Sequence, residues 1–64
     1  MTKIEERRKA AGMSRSELSR QSDVPLRTLE EWEAGRRVPR DVYQLAKVAK
    51  SLNCLIEDLI VLEE

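Results

Sequence analysis

The side chains able to do chemistry in this 64-residue chain are mostly charged, and their types exclude more than they offer. There is no His, and Cys54 is the single cysteine, so neither an intrachain disulfide nor a usual zinc ligand set can be assembled. Cys54 lies in an apolar stretch with Leu52, Leu55 and Ile56 and is expected to act as a small buried hydrophobe. No glycine-rich run offers a phosphate cradle, no cluster has metal-ligand spacing, and so short a chain encloses no pocket-sized core. Glu30 and Glu31 are adjacent on a helical stretch, so their carboxylates diverge instead of converging on a substrate. We therefore expect no enzyme, no cofactor and no small-molecule ligand. What remains is guanidinium chemistry. Arginines recur from Arg15 to Arg40, and this side chain meets phosphate oxygens and base edges.

Short helices must position these groups. Phe is absent and β-branched runs are few, which disfavours strands. Helical punctuation is frequent. Thr2 with Glu5, and Ser14 with Glu17, read as capping boxes, in which a hydroxyl and a carboxylate take up free backbone N–H groups at a helix start. Gly12 and Gly35 follow helical stretches as stop signals, and Pro25 and Pro39 suit first-turn positions, where no N–H is needed. The pattern predicts five helices, at about 3–11, 15–22, 25–34, 40–52 and 56–62. The fourth carries an apolar stripe of helical period: Val42, Leu45, Ala46, Val48, Ala49 and Leu52. The expected core is Ile4, Ala11, Met13, Leu18, Val24, Leu29, Trp32, Val42, Leu45, Ala49, Leu52, Ile56 and Leu59.

Between Ser14 and Pro39, two of these helices flank a sharp turn at Asp23, a residue that tolerates the left-handed conformation. Ser19 is small enough for a close helix crossing, and Val24 plugs the angle between the helices. This is the layout of a helix-turn-helix that reads DNA. On spacing alone it is equally the layout of an ordinary αα-hairpin in a small bundle.

Size and charge bound the rest. We expect one domain, residues 1–64, which buries only about 60% of its unfolded surface and is marginally stable. Nothing in the sequence reads as a signal peptide or a spanning segment, so a cytoplasmic location without membrane association is expected. The 12 basic and 12 acidic residues cancel, which argues against a nucleic-acid partner. Their distribution softens that argument. Residues 1–53 hold 12 Lys/Arg against eight Asp/Glu, a net +4, while residues 54–64 hold four acids and no base. The helical pair lies wholly in the positive part.

From Ile4 to about Leu59 the sequence resembles the Cro/repressor type of helix-turn-helix, the xenobiotic-response-element family. The resemblance rests on Ile4 and Arg8; Gly12-Met13-Ser14; Glu17-Leu18; Val24; Thr28-Leu29; Trp32-Glu33 with Gly35; Pro39; Ala49-Lys50 with Leu52; and Ile56 with Leu59. It implies an all-α, compact five-helix domain of the phage-repressor type, with helices two and three forming the helix-turn-helix. It also implies binding to double-stranded operator DNA, usually as a homodimer on paired half-sites.

Carried over by position, the resemblance places residues 25–34 in the major groove, with Leu26, Arg27 and Glu31 facing bases. Arg27 would pair with guanine O6 and N7, Glu31 would accept from cytosine N4, and Leu26 would touch a thymine methyl. The alternative is that Arg27 and Glu31, four apart, pair with each other on a solvated face. Arg15, Thr28, Arg36, Arg37 and Arg40 fall where the family meets the DNA backbone. Arg8 and Glu33 hold positions that form a semi-buried structural ion pair. Some residues depart from the family pattern: Pro25 replaces a Ser or Thr cap, Ala34 an Asn, and Arg7 an apolar residue.

Residues 55–62 are more apolar than one helix buries on one side; the resemblance implies that part of this surface is a dimer contact, and the alternative is a frayed tail. The leading reading is a repressor-like transcription regulator of bacterial or phage origin that occupies an operator and blocks polymerase. The second is a protein-interaction module, such as an antitoxin or accessory subunit, favoured by Glu30, Glu31 and the neutral total charge.

Overall fold

The computed structural model describes residues 2–60. It contains four α-helices: α1 (Ile4–Ala10), α2 (Arg15–Ser22), α3 (Leu26–Glu33) and α4 (Val42–Ser51), followed by one 3-10 turn, Ile56–Leu59. No strand occurs among the described residues, where an isolated antiparallel bridge joins Thr2 to Ile60.

Local chemistry explains most boundaries. The Ser14 side chain accepts from the Glu17 N–H at 3.1 Å, and the Glu17 carboxylate accepts from the Ser14 N–H at 3.2 Å, so α2 begins with a complete capping box. It ends at Asp23, whose φ of 58° and ψ of 29° are left-handed. In the turn that follows, the Ser19 hydroxyl donates to the Val24 carbonyl at 2.6 Å, using a small side chain to hold the loop. Pro25 is the N-cap residue of α3, one position outside the helix, with extended ψ of 138°. Asp41 caps α4 by accepting from the Tyr43 and Gln44 N–H groups at 3.0 and 3.2 Å.

Three boundary expectations are corrected. The Thr2–Glu5 box does not form: Lys3 is the N-cap of α1, without a side-chain cap. Its N–H instead donates to the Leu59 carbonyl at 2.8 Å, next to the bridge between Thr2 and Ile60. The fourth helix starts at Val42 and not at residue 40, since Asp41 provides the cap, leaving Pro39 and Arg40 in the preceding loop. The fifth helix is a single 3-10 turn. Its backbone partners are taken elsewhere: the Leu59 carbonyl by Lys3, and Ile60, at φ −114° and ψ 133°, by the bridge to Thr2. The rest of that predicted helix, 61–62, lies outside the described residues.

The core is Ile4, Leu18, Val24, Leu29, Trp32, Leu45, Val48, Ala49, Leu52 and Leu59. Helix α2 packs on α3 and α4, α1 packs on α3, and the 3-10 turn packs on α4. The buried stripe of α4 is Leu45, Val48 and Ala49, continued by its C-cap residue Leu52, an i, i+3, i+4, i+7 pattern. Val48, absent from the expected core, is fully buried, whereas Val42 in the first turn of α4 is 59% exposed. Ala11 and Ala46 are exposed, and Met13, Ile56 and Cys54 are half-buried against the core. Desolvation there pushes the Cys54 thiol above its ordinary range.

Candidate nucleic-acid interface

Helix α3 divides its residues by helical period. Leu29 and Trp32 are buried, while the Arg27 side chain is 89% exposed. Leu26 and Glu30 are exposed beside it. Glu31 is mostly covered, because both its carboxylate oxygens have cationic neighbours. Oε1 lies 3.5 Å from Arg27 Nε, and Oε2 accepts from Arg37 Nη1 at 3.2 Å.

The chain then reverses at Gly35, where φ is +76°, a conformation glycine takes without strain. The Arg36 and Arg37 N–H groups fold back onto the Glu31 carbonyl at 3.0 and 3.4 Å. This return brings the post-helix loop alongside α3 and opens a groove between α3 and the start of α4. Its walls include Thr28, Trp32, Arg36, Arg37, Arg40 and Gln44. Four of the five positions carried over for backbone contact, Thr28, Arg36, Arg37 and Arg40, thus share one groove. Among the described residues Arg36 and Arg40 form no ion pair, so their donors face solvent there. Arg40 stands in the loop before the Asp41 cap rather than at the head of α4.

Asp41 and Gln44 line the same groove and were not singled out from sequence. An Asp directly before an apolar periodic run is a cap signal that would have found Asp41. Gln44 carries no such signal.

The fifth backbone position, Arg15, is the first residue of α2, with its side chain 47% exposed. It reaches toward a buried charge cluster. Arg8 donates from Nε to Glu33 Oε2 at 3.0 Å and from Nη2 to Oε1 at 3.1 Å, a bidentate pair. Arg8 Nη1 donates to the Met13 carbonyl at 2.8 Å, and Arg15 Nε lies 3.8 Å from Glu33 Oε1. The Glu33 side chain is only 3% exposed and that of Arg8 10%. The Arg8–Glu33 pair therefore fastens α1 to the end of α3, to the Met13 carbonyl and to the start of α2.

The apolar end is less open than its composition implied. Leu59 is buried, Ile56 and Ile60 pack partly on the core, and Leu55 is 63% exposed. Val61 and Leu62 lie outside the described residues. Among the described residues no helix is long and apolar enough to cross a membrane, and no group of His, Cys, Asp or Glu gathers as a metal site.

An exposed-arginine helix beside an arginine-lined groove, fastened from behind by a buried ion pair, is consistent with one comparison. A family model described as Cro/C1-type HTH DNA-binding domain matches residues 3–64. The chain belongs to this family. No curated protein matches it. As a Cro/C1-type domain it is a DNA-binding helix-turn-helix protein, and DNA is the partner class against which the groove is to be read.

Proposed function

We propose that this Cro/C1-type domain is a sequence-specific, repressor-like transcription regulator. Helices α2 and α3 form its helix-turn-helix, and α3 enters the major groove. The observation that carries this reading is the sharing of one groove by Thr28, Arg36, Arg37 and Arg40 beside the exposed Arg27. Arg27 is the base reader, suited by its planar fork to guanine O6 and N7, and Leu26 offers an apolar contact to a thymine methyl. The groove arginines grip phosphates, as does Arg15, which stands with the N–H groups at the start of α2. Repression is steric: the bound protein excludes polymerase. A homodimer through the 55–62 region, for which the exposed Leu55 is the described support, would set two α3 helices on half-sites about one DNA turn, roughly 34–36 Å, apart.

Titration of a labelled random-sequence duplex at low and moderate salt tests this reading. Four arginines on phosphates give a log–log salt slope of about −3.6. The Arg27→Ala/Arg40→Ala double variant should bind more weakly, with a slope shallower by about one for the lost phosphate contact. Absence of duplex binding at low salt overturns the proposal. That outcome favours the second reading, a protein-interaction module, which is supported by the zero net charge and by the exposed Val38, Val42, Tyr43 and Leu55.

A further inference from the structure

We infer that Glu31 is a positioning residue, holding Arg27 for base reading and Arg37 for phosphate, rather than a reader of bases. The inference rests on α3 facing DNA as proposed above. The Glu31 carboxylate has two oxygens, and each already faces an arginine: Oε1 at 3.5 Å from Arg27 Nε, Oε2 accepting from Arg37 Nη1 at 3.2 Å. A cytosine amino group would have to share an oxygen that already faces an arginine. The way each arginine is held matters as much. Contact through Nε leaves both terminal nitrogens of Arg27 available, the pair that an end-on approach to guanine O6 and N7 requires.

The same Glu31 carbonyl receives the Arg36 and Arg37 N–H groups, so one residue fixes both the loop backbone and the two side chains. An arginine held before DNA arrives has less rotamer freedom to lose on binding. A lone carboxylate among phosphates would repel them, but the Arg27–Glu31–Arg37 group carries a net +1. Stability does not account for the arrangement. Arg27 is 89% and Arg37 64% exposed, and ion pairs that open to water add little. A Glu31→Gln variant should therefore fold like the parent.

The test uses the full chain and a duplex that the wild-type protein selects from a random pool, with each base pair then substituted in turn. Glu31→Gln should bind unselected duplex at least as tightly as wild type, having lost a negative charge. Its preference for the selected duplex should fall about tenfold, the lower range for one bidentate base contact. The loss should fall on the base pair that Arg27→Ala affects, and the double variant should discriminate no worse than Arg27→Ala alone. Loss at a different base pair, additive with Arg27→Ala, overturns the inference and makes Glu31 a base reader. A second arm needs no DNA: side-chain ¹⁵N relaxation should show Arg27 Nε–H more ordered in wild type than in Glu31→Gln. Equal order overturns the positioning role while leaving the DNA-binding proposal standing. Failure of the wild-type protein to bind any duplex overturns that proposal, and this role with it.

Discussion

Replacing Glu33 by Gln should cost more than changing any surface charge of the described structure. The side chain is 3% exposed and its partner Arg8 10%, so the pair is buried and solvent screens it little. Gln keeps the volume and one acceptor oxygen but leaves a buried guanidinium without its counter-charge. Breaking such a pair costs about 3–5 kcal/mol, and the surviving acceptor places Glu33→Gln near the lower figure. The expected stability of a domain this size is only about 3–10 kcal/mol. The variant should therefore melt about 12–24 °C lower, at about 4–8 °C per kcal/mol for a small domain, or be unfolded at room temperature. Arg8→Met should cost more, because the Met13 carbonyl also loses its 2.8 Å donor, a bond worth about 1 kcal/mol. The Arg8→Met/Glu33→Leu double should recover much of the loss, since it leaves no buried charge unpaired. Urea unfolding followed by helical circular dichroism measures all three. Single costs below about 1 kcal/mol, or a double equal to the sum of its singles, would refute burial and coupling as the source of the effect.

Three further outcomes follow from individual contacts. Asp41→Ala strips two backbone N–H groups of their acceptor and should lower stability by about 1 kcal/mol in urea unfolding, while Asp41→Asn should lose far less. Leu59→Ala empties a fully buried position in the 3-10 turn and should cost about 2–5 kcal/mol; a cost under 1 would mean the turn is not docked on the core. Burial raises the Cys54 thiol, so alkylation at pH 8 should be slower in the native protein than in urea. Because the folded pKa lies above the unfolded one, the Cys54 contribution to stability is present below the unfolded thiol pKa and is lost as pH rises through the folded value. Cys54→Ala should remove that alkaline decline, seen as a flatter stability profile above about pH 9.

The parts of this fold that were legible in the sequence are those fixed by local chemistry. A Ser three residues before a Glu makes the α2 cap, and an Asp suits the left-handed turn. The α3 period separates Leu29 and Trp32 from Arg27. What was not legible depends on residues far apart in the chain. Thr2 and Glu5 have the cap pattern, but the partner that Lys3 N–H finds is Leu59. Residues 56–62 have helical composition, yet the same pairing ends the turn at Leu59 and draws Ile60 into a bridge with Thr2. At the candidate site, the arginines could be named but not grouped. Their common groove arises because the loop after Gly35 folds back onto the Glu31 carbonyl, a contact no periodicity encodes.

A chain of zero net charge is an unpromising ligand for a polyanion only if its charges act from one point. At physiological salt a charge is felt over about 8 Å, so the local arrangement decides. Several acids here have internal partners. Glu5 pairs with Lys9 at 2.9 Å, and that hydrogen bond holds its carboxyl below the usual range. Asp58 lies 3.8 Å from Arg7, Glu33 is enclosed by Arg8 and Arg15, and Glu17, Asp41 and Asp58 accept from backbone N–H groups. Each of these offsets negative charge at its own position, and the acids of residues 54–64 are carried on the segment after α4. The groove between α3 and α4, by contrast, holds Arg36, Arg37 and Arg40 against Asp41, whose Oδ1 already caps a helix. Local positive excess within a neutral domain allows phosphate contact while limiting adhesion to any anionic surface. If α3 reads DNA as proposed, orientation rather than total charge must bring the Arg27 and groove guanidinium groups to the duplex.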